Sequence, residues 1–153
     1  MNIEQVLQTE VVLPMPKKTV LNILYAQHFV SDRLSEICKA HDLSVEQYNV
    51  LRILRGQKGL PTNMQNIQGR MIARTSNTTR LVDKLVAKKW VNRELCLHNR
   101  RKMDVLITEE GLAVLAALDP LIDEIERRLA ANLTTMELKQ LNILLEKYRT
   151  IVT

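Results

Sequence analysis

The stretch that decides the fold is residues 75–108, which read TSNTTRLVDKLVAKKWVNRELCLHNRRKMDVLIT. Up to residue 89 its apolar residues recur at steps of three and four, which predicts a helix with one buried face made by Leu81, Val82, Leu85 and Val86. From Trp90 onward the apolar positions alternate, which predicts strands at 90–97 and 103–107. The residues between them, 98–102, are polar and basic. We therefore expect a helix followed by a hairpin with a basic turn.

Helices are predicted before this stretch. Apolar residues recur at helical spacing from Lys17 to about Ala40, after an irregular or short helical arm over residues 1–13. Ser44 followed by Gln47 has the form of a capping box, which starts a second helix that Gly56 and Gly59 end. A short third helix is expected from Asn63 to Arg70, with Thr62 as its N-cap.

Two further helices are predicted after the hairpin. Thr108 is the expected N-cap of the first, and Pro120 is expected to kink or interrupt it. Thr134 with Glu137 forms another capping box, which starts the last helix. The predicted fold is mainly α with a small β-hairpin.

Charge is unevenly distributed along the 153 residues. The chain carries 22 basic and 17 acidic residues, a formal net charge of +5. Between Arg70 and Lys102 there are ten basic residues and two acidic ones, so this block carries +8 and the rest of the chain −3. Such a block is typical of a surface that binds a polyanion, although most charge runs form a solvated face. Aromatic residues make up only 3%, which disfavours binding of single strands or RNA by base stacking.

Several classes of protein are disfavoured by the sequence. No run of about 18 uncharged apolar residues is present, and residues 1–16 lack the features of a signal peptide. Two cysteines, Cys38 and Cys96, do not form a disulfide framework, so a cytoplasmic protein is expected. Phosphate-loop, zinc-protease and nucleophile-elbow motifs are absent from the sequence, so we expect no enzyme, no cofactor and no metal.

The order of the predicted elements is that of a winged helix-turn-helix. A helix of about 10–12 Å diameter fits the major groove of B-DNA, where base edges can be distinguished. A helix start rich in Ser, Thr and Asn offers short hydrogen-bonding groups to bases and phosphates. A basic hairpin can reach a neighbouring minor groove. Double-stranded DNA is therefore the expected partner.

The sequence resembles the MarR family of bacterial transcriptional regulators over about residues 43–111. The resemblance rests on an ordered set of motifs: Leu43-Ser44-x-x-Gln47-Tyr48-x-Val50-Leu51-x-x-Leu54, Ser76-x-x-Thr79-Arg80-Leu81-Val82-Asp83-Lys84-Leu85, Val91-x-Arg93, and Arg100-Arg101 leading to Val105-Leu106-Ile107-Thr108-Glu109-x-Gly111. Three positions depart from the family pattern. Asn99 replaces the usual Asp before the wing-tip Arg, Lys89 replaces a Gly, and Gln68 replaces a small residue. Lys89 is therefore expected to adopt a left-handed conformation at a cost of about 1 kcal/mol.

The resemblance implies a homodimer that acts as a ligand-released repressor on a pseudo-palindromic operator. Residues 1–40 would form an arm and dimerisation helix, 41–111 the DNA-binding region, and 112–153 the C-terminal dimerisation helices. The family also implies a small-molecule effector pocket between the dimerisation and DNA-binding regions. Aromatic candidates for this pocket are Tyr25, Phe29 and Tyr48, although aromatics at helical spacing are more often core residues.

The candidate DNA contacts follow from position in the motifs. The recognition helix would supply Ser76, Asn77, Thr78, Thr79, Arg80 and Lys84; the wing Arg100, Arg101 and Lys102; and Arg74 and Arg93 are further candidates. Arg80 could instead pair with Asp83. A rival function is a protein–protein module whose basic block docks on an acidic partner. Another is a regulator that senses oxidants or metals through Cys38, which shares a Cys-x-x-His spacing with His41.

Overall fold

The computed structural model describes residues 1–73, 77–95 and 103–150. Within these ranges the chain forms the helices α1 (Ile3–Val6), α2 (Met15–Ala40), α3 (Val45–Arg55), α4 (Met64–Arg70), α5 (Thr78–Ala87), α6 (Glu109–Ala130) and α7 (Thr135–Tyr148), and the strands β1 (Thr62–Asn63), β2 (Val91–Leu95) and β3 (Met103–Ile107). This is the mainly α fold with a small hairpin that the sequence predicts. Among the described helices, none is both long and apolar enough to cross a lipid bilayer.

The helix caps form largely where the sequence places them. Ser44 and Thr134 each cap their helix through a complete capping box, and the Thr108 side chain accepts a hydrogen bond from the Gly111 N–H at the start of α6. The predicted cap of α4 is wrong by one residue. Asn63, not Thr62, caps α4, because Thr62 pairs with Val105 in the sheet.

The sheet contains one strand more than the sequence predicts. Strand β3 lies in the centre and pairs antiparallel with both β1 and β2. The hairpin register runs from Val91 opposite Ile107 to Leu95 opposite Met103. Strand β1 has only two residues, so it shows no alternation from which it could have been predicted.

The structure corrects the expected interruption of α6 at Pro120 and the expected ends of α5. Helix α6 continues through Pro120 without interruption, although that proline has no N–H to donate to the helix. Helix α5 begins at Thr78 and ends at Ala87, inside the predicted span of 75–89.

Gln68 is exposed, and a Cβ added at the neighbouring Gly69 would meet no atom within 4 Å, so the large side chain of Gln68 causes no crowding there.

The hydrophobic core lies around α3. Its buried side chains pack with those of α4, α5, α6 and β3 in one cluster that includes Leu51, Leu54, Ile67, Val82, Leu85, Val105, Leu115 and Leu118. Helix α7 contributes no buried residue to this core. Because α5 buries only its inner face against α3, its other face is left open to solvent.

Candidate nucleic-acid interface

The outer face of α5 carries the first part of the candidate interface. Asn77, Arg80 and Lys84 follow the i, i+3, i+7 spacing of one helical face, and all three are exposed. Within the described ranges no hydrogen bond or ion pair joins any of their side chains to the protein. Three polar groups are thus presented together and are available to a ligand.

Asn77 lies at the N-cap position of α5 but does not use its side chain as a cap. The side-chain amide is therefore free to bind outward. Thr79, one of the predicted contact residues, is also exposed.

Thr78 departs from the expectation that it faces DNA. It is only 4% exposed, and it shares the buried side of α5 with Val82 and Leu85. The helical period places residues 78, 82 and 85 on one face, so the Thr78 side chain belongs to the core side of the helix.

Five of the predicted contact residues lie outside the described ranges. They are Ser76 and Arg74, together with the wing residues Arg100, Arg101 and Lys102. The last pair of the described hairpin is Leu95 opposite Met103.

An ion pair ties the hairpin to α5. The Arg93 guanidinium donates a hydrogen bond of 2.8 Å to the Asp83 carboxylate. Arg93 is mostly shielded, with a side-chain exposure of 29%, and its buried Nε atom has no hydrogen-bond partner among the residues that the structure describes. Since Asp83 is engaged by Arg93, Arg80 does not pair with it.

A second group of contacts holds the C-terminal end of α5. Lys88 hydrogen-bonds to the carboxylate and the carbonyl of Asp42, and its ammonium lies 4.7 Å from the centroid of the Trp90 ring. Lys89 follows with a φ of 62°, the left-handed conformation predicted from the missing glycine. The N–H groups of Lys89 and Trp90 donate to the carbonyls of Val86 and Leu85, which completes a Schellman motif.

The base of the hairpin is joined directly to α6. The Thr108 N–H donates to the Trp90 carbonyl at 3.0 Å, and the Thr108 hydroxyl donates to the Lys89 carbonyl at 2.8 Å. Gly111 lies so close to this junction that an added Cβ would be 2.3 Å from the Trp90 carbonyl oxygen. The end of α5, the hairpin and the start of α6 are therefore held together by backbone contacts.

Comparison with known proteins supports the resemblance seen in the sequence. Residues 43–103 match the model of the MarR family. The homoprotocatechuate degradative operon repressor of Escherichia coli is 23% identical over 134 residues, which cover 88% of this chain and 89% of the repressor. The chain is therefore similar to the MarR family of transcription regulators.

Two solved structures show the same fold. A mutant MarR from Escherichia coli complexed with operator DNA superposes on this chain with a TM-score of 0.77 and 24% identity, over 89% of this chain and 95% of that one. BpsR of Bordetella bronchiseptica, whose DNA binding is regulated by 6-hydroxynicotinic acid, gives a TM-score of 0.80 and 18% identity, over 93% and 100% of the two chains. The winged helix-turn-helix fold predicted from the sequence is confirmed.

The aromatic candidates for an effector pocket lie in different surroundings. Tyr25 and Phe29 are nearly half exposed on α2, with exposures of 47% and 46%. Tyr48 is buried in the core cluster on α3, and the Arg52 guanidinium lies 5.7 Å from its ring centroid. Burial raises the pKa of Tyr48, so its hydroxyl stays protonated at neutral pH.

Cys38 is a fully buried thiol near the end of α2. Burial, assisted by the negative charge of Glu46, raises the pKa of Cys38, which disfavours the reactive thiolate. The Nδ1 atom of His41 lies 3.1 Å from the Ile37 carbonyl oxygen, within hydrogen-bond distance. Among the residues the structure describes, no group of three or more His, Cys, Asp or Glu side chains could hold a metal ion.

One contact in this chain is not predictable from sequence patterns. Arg55, at the end of α3, binds Asp119 of α6 through two hydrogen bonds of 2.6 and 3.2 Å. This hydrogen bonding raises the pKa of Arg55. The two residues are 64 positions apart, and no local motif links residues at such a separation.

Proposed function

We propose that this chain is a homodimeric, sequence-specific repressor that binds double-stranded DNA in the cytoplasm and is released from its operator by a small aromatic acid. The observation that carries the proposal is the free polar face of α5, formed by Asn77, Arg80 and Lys84. It lies within the block of residues 70–102 whose formal charge is +8.

The chemistry of this face suits duplex DNA. A guanidinium can bind the O6 and N7 atoms of guanine or a phosphate, and an amide can bind adenine, all within a major groove that admits a helix. The Lys84 ammonium, one turn beyond Arg80, is suited to a phosphate. In the proposal, Ser76 and the wing residues Arg100, Arg101 and Lys102 add contacts on either side, with Arg74 and Arg93 as weaker candidates.

Salt dependence tests DNA binding. Sequences selected from genomic DNA should bind the protein with an affinity that falls linearly on a plot of log K against log salt. Arg80→Ala and Lys84→Ala should each weaken binding and reduce the salt slope by about 0.9 for every phosphate that is no longer neutralised. Lys139→Ala removes an exposed lysine from α7, outside the charged block, and should leave the slope unchanged. An affinity that does not respond to salt would contradict DNA binding.

The apolar surface of α7 supports the homodimer. Helix α7 buries none of its residues, although several are large and apolar. Its exposed apolar side chains, with exposures of 38–52%, are Leu141, Leu144, Leu145 and Tyr148. A 14-residue helix is marginally stable in water without packing. Exposed Leu24 and Phe29 of α2 add to the apolar surface. A groove between α2 and α7 is lined by Ile23, Asn142, Leu145 and Tyr148. A second copy of the chain would cover this surface.

A matched pair of variants tests the dimer. Leu144 and Ile143 are similarly exposed, at 52% and 56%, but Leu144 lies on the apolar stripe of α7 and Ile143 on the opposite side. Leu144→Glu should shift the mass in analytical ultracentrifugation from dimer to monomer, whereas Ile143→Glu should not. If both variants stay dimeric, or if the parent chain is a monomer, the proposed dimer is wrong.

The proposed effector follows from the relatives. One relative is the repressor of the homoprotocatechuate degradative operon, and the DNA binding of another is regulated by 6-hydroxynicotinic acid. Homoprotocatechuate and 6-hydroxynicotinic acid are both small aromatic acids. A panel of hydroxylated benzoic, phenylacetic and nicotinic acids should therefore contain a compound that raises the melting temperature and lowers operator affinity. A compound that stabilises the protein without affecting DNA binding would contradict release by an effector.

A further inference from the structure

The Arg55–Asp119 pair joins two parts of the fold with different proposed roles. Arg55 is the last residue of α3, which packs against the recognition helix α5. Asp119 lies in the middle of α6, which leads to α7 and its apolar surface. Any change in angle between α3 and α6 would therefore move the recognition helix relative to the proposed dimer surface.

The geometry of the pair is directional. Two nitrogen atoms of the Arg55 guanidinium each bind a different oxygen of the Asp119 carboxylate, at 2.6 and 3.2 Å. A fork of this kind fixes orientation as well as distance. The two side chains are 38% and 37% exposed, so solvent screening makes the pair a small contributor to overall stability.

The pair lies beside a turn of α6 that lacks one backbone hydrogen bond. Pro120, the residue after Asp119, has no N–H to donate to the Ala116 carbonyl, so one hydrogen bond of the helix is missing at this turn. Around it, α3 and α6 meet through apolar side chains such as Leu51, Leu115 and Leu118, which hold the helices together without fixing their relative rotation. The Arg55–Asp119 pair is a directional contact across this junction.

We propose that Arg55 and Asp119 are positioning residues that set the angle between the recognition helix and α6, and hence the half-site spacing that the dimer accepts on DNA. This inference rests on the proposed function, because spacing has a meaning only for a dimer that binds two half-sites. A change of one base pair rotates a half-site by about 34–36° around the duplex, so a rigid dimer should discriminate against it.

The test compares operators whose half-sites are moved by one base pair in either direction. The parent dimer should bind these operators about tenfold more weakly than the selected one, as it would a site with one mismatched base pair. Asp119→Asn, which keeps the shape of the side chain, and Arg55→Lys, which keeps the charge but not the fork, should reduce that penalty to about threefold or less. Glu36→Gln, which breaks the exposed Arg33–Glu36 pair within α2, is the control and should retain the full penalty.

The salt slope separates positioning from direct contact. With both variants it should stay unchanged, because no group that neutralises a phosphate is removed. A slope reduced by about 0.9 in Arg55→Lys or Asp119→Asn, or a spacing penalty equal to that of the parent, would overturn the inference. If the parent binds no DNA or binds as a monomer, the proposed function itself fails. If the parent binds as a dimer and the variants keep the spacing penalty, only the inference about Arg55 and Asp119 fails.

Discussion

Gly111→Ala should destabilise the protein, because a methyl group has no room at this position. The new Cβ would lie 2.3 Å from the Trp90 carbonyl oxygen and 2.8 Å from a side-chain carbon of Ile107. To reach even 3.0 Å from the oxygen, the two groups would have to separate by about 0.7 Å. The Trp90 carbonyl cannot move freely, because it accepts the hydrogen bond from the Thr108 N–H.

The expected magnitude combines two opposing effects. Overpacking against backbone costs about 3 kcal/mol, at the upper end of the usual range, whereas replacing Gly by Ala inside a helix gains about 1 kcal/mol. The net loss of about 2 kcal/mol should lower the melting temperature by about 4–8 °C in a chain of this size. Calorimetry at one fixed protein concentration checks this value, since the stability of a dimer depends on concentration.

Gly69→Ala is the matched control for this experiment. Gly69 is also in a helix, but a Cβ there would meet no atom within 4 Å, and its φ is not positive. The same substitution should therefore stabilise the protein by about 0.5–1 kcal/mol. A Gly111→Ala protein as stable as the parent, or a Gly69→Ala protein equally destabilised, would refute the steric explanation.

Three further predictions concern a strained residue and two titrating groups. Lys89→Gly should raise the free energy of unfolding by about 1 kcal/mol in urea titrations, because Lys89 has a φ of 62°; an unchanged or lower value would contradict the strain. Burial raises the pKa of the Cys38 thiol in the folded protein, so the neutral thiol contributes to stability at neutral pH. This contribution is lost as the pH rises above about 8.5, the ordinary pKa of a cysteine, and through the raised pKa of the folded state. Cys38→Ala should therefore lose less stability between pH 8 and pH 10 than the parent, and an equal loss would count against this origin. The Thr134 N–H and hydroxyl lower the pKa of Glu137, so this carboxylate stabilises the fold above its ordinary pKa and loses that effect as pH falls through the lowered value. Glu137→Gln should thus cost more stability at pH 7 than at pH 3, and a cost independent of pH would disprove the role of the charge.

Features that depend on neighbouring residues were predictable. The capping boxes at Ser44 and Thr134 and the cap at Thr108 each involve a residue three positions away, and all three form. The left-handed Lys89 was predictable from the family resemblance, because Lys89 stands where the MarR family usually has a glycine at the end of a helix. The hairpin was predictable because two alternating segments are separated by a polar turn.

Features that depend on distant residues were not. Strand β1 exists because Thr62 meets Val105, and that pairing moves the cap of α4 from Thr62 to Asn63. Thr78 matches the polar start of a recognition helix, yet it is buried. It lies on the face of α5 that packs into the core. For the candidate interface, the sequence predicted a polar, basic helix. It did not show which side chains of that helix are free, because this depends on contacts with other elements, such as the hydrogen bond from Arg93 of β2 to Asp83 of α5.

The sequence by itself determined the order of the helices, the hairpin, the concentration of positive charge and the resemblance to the MarR family, because these depend on spacing, local hydrogen bonds and residue type. Only the tertiary structure decided that Asn77, Arg80 and Lys84 share an open face and that Arg55 binds Asp119. The physical reason is distance along the chain. Contacts within about four residues follow from backbone geometry, whereas a contact across 64 residues forms only when the packing of the whole core brings the two side chains together.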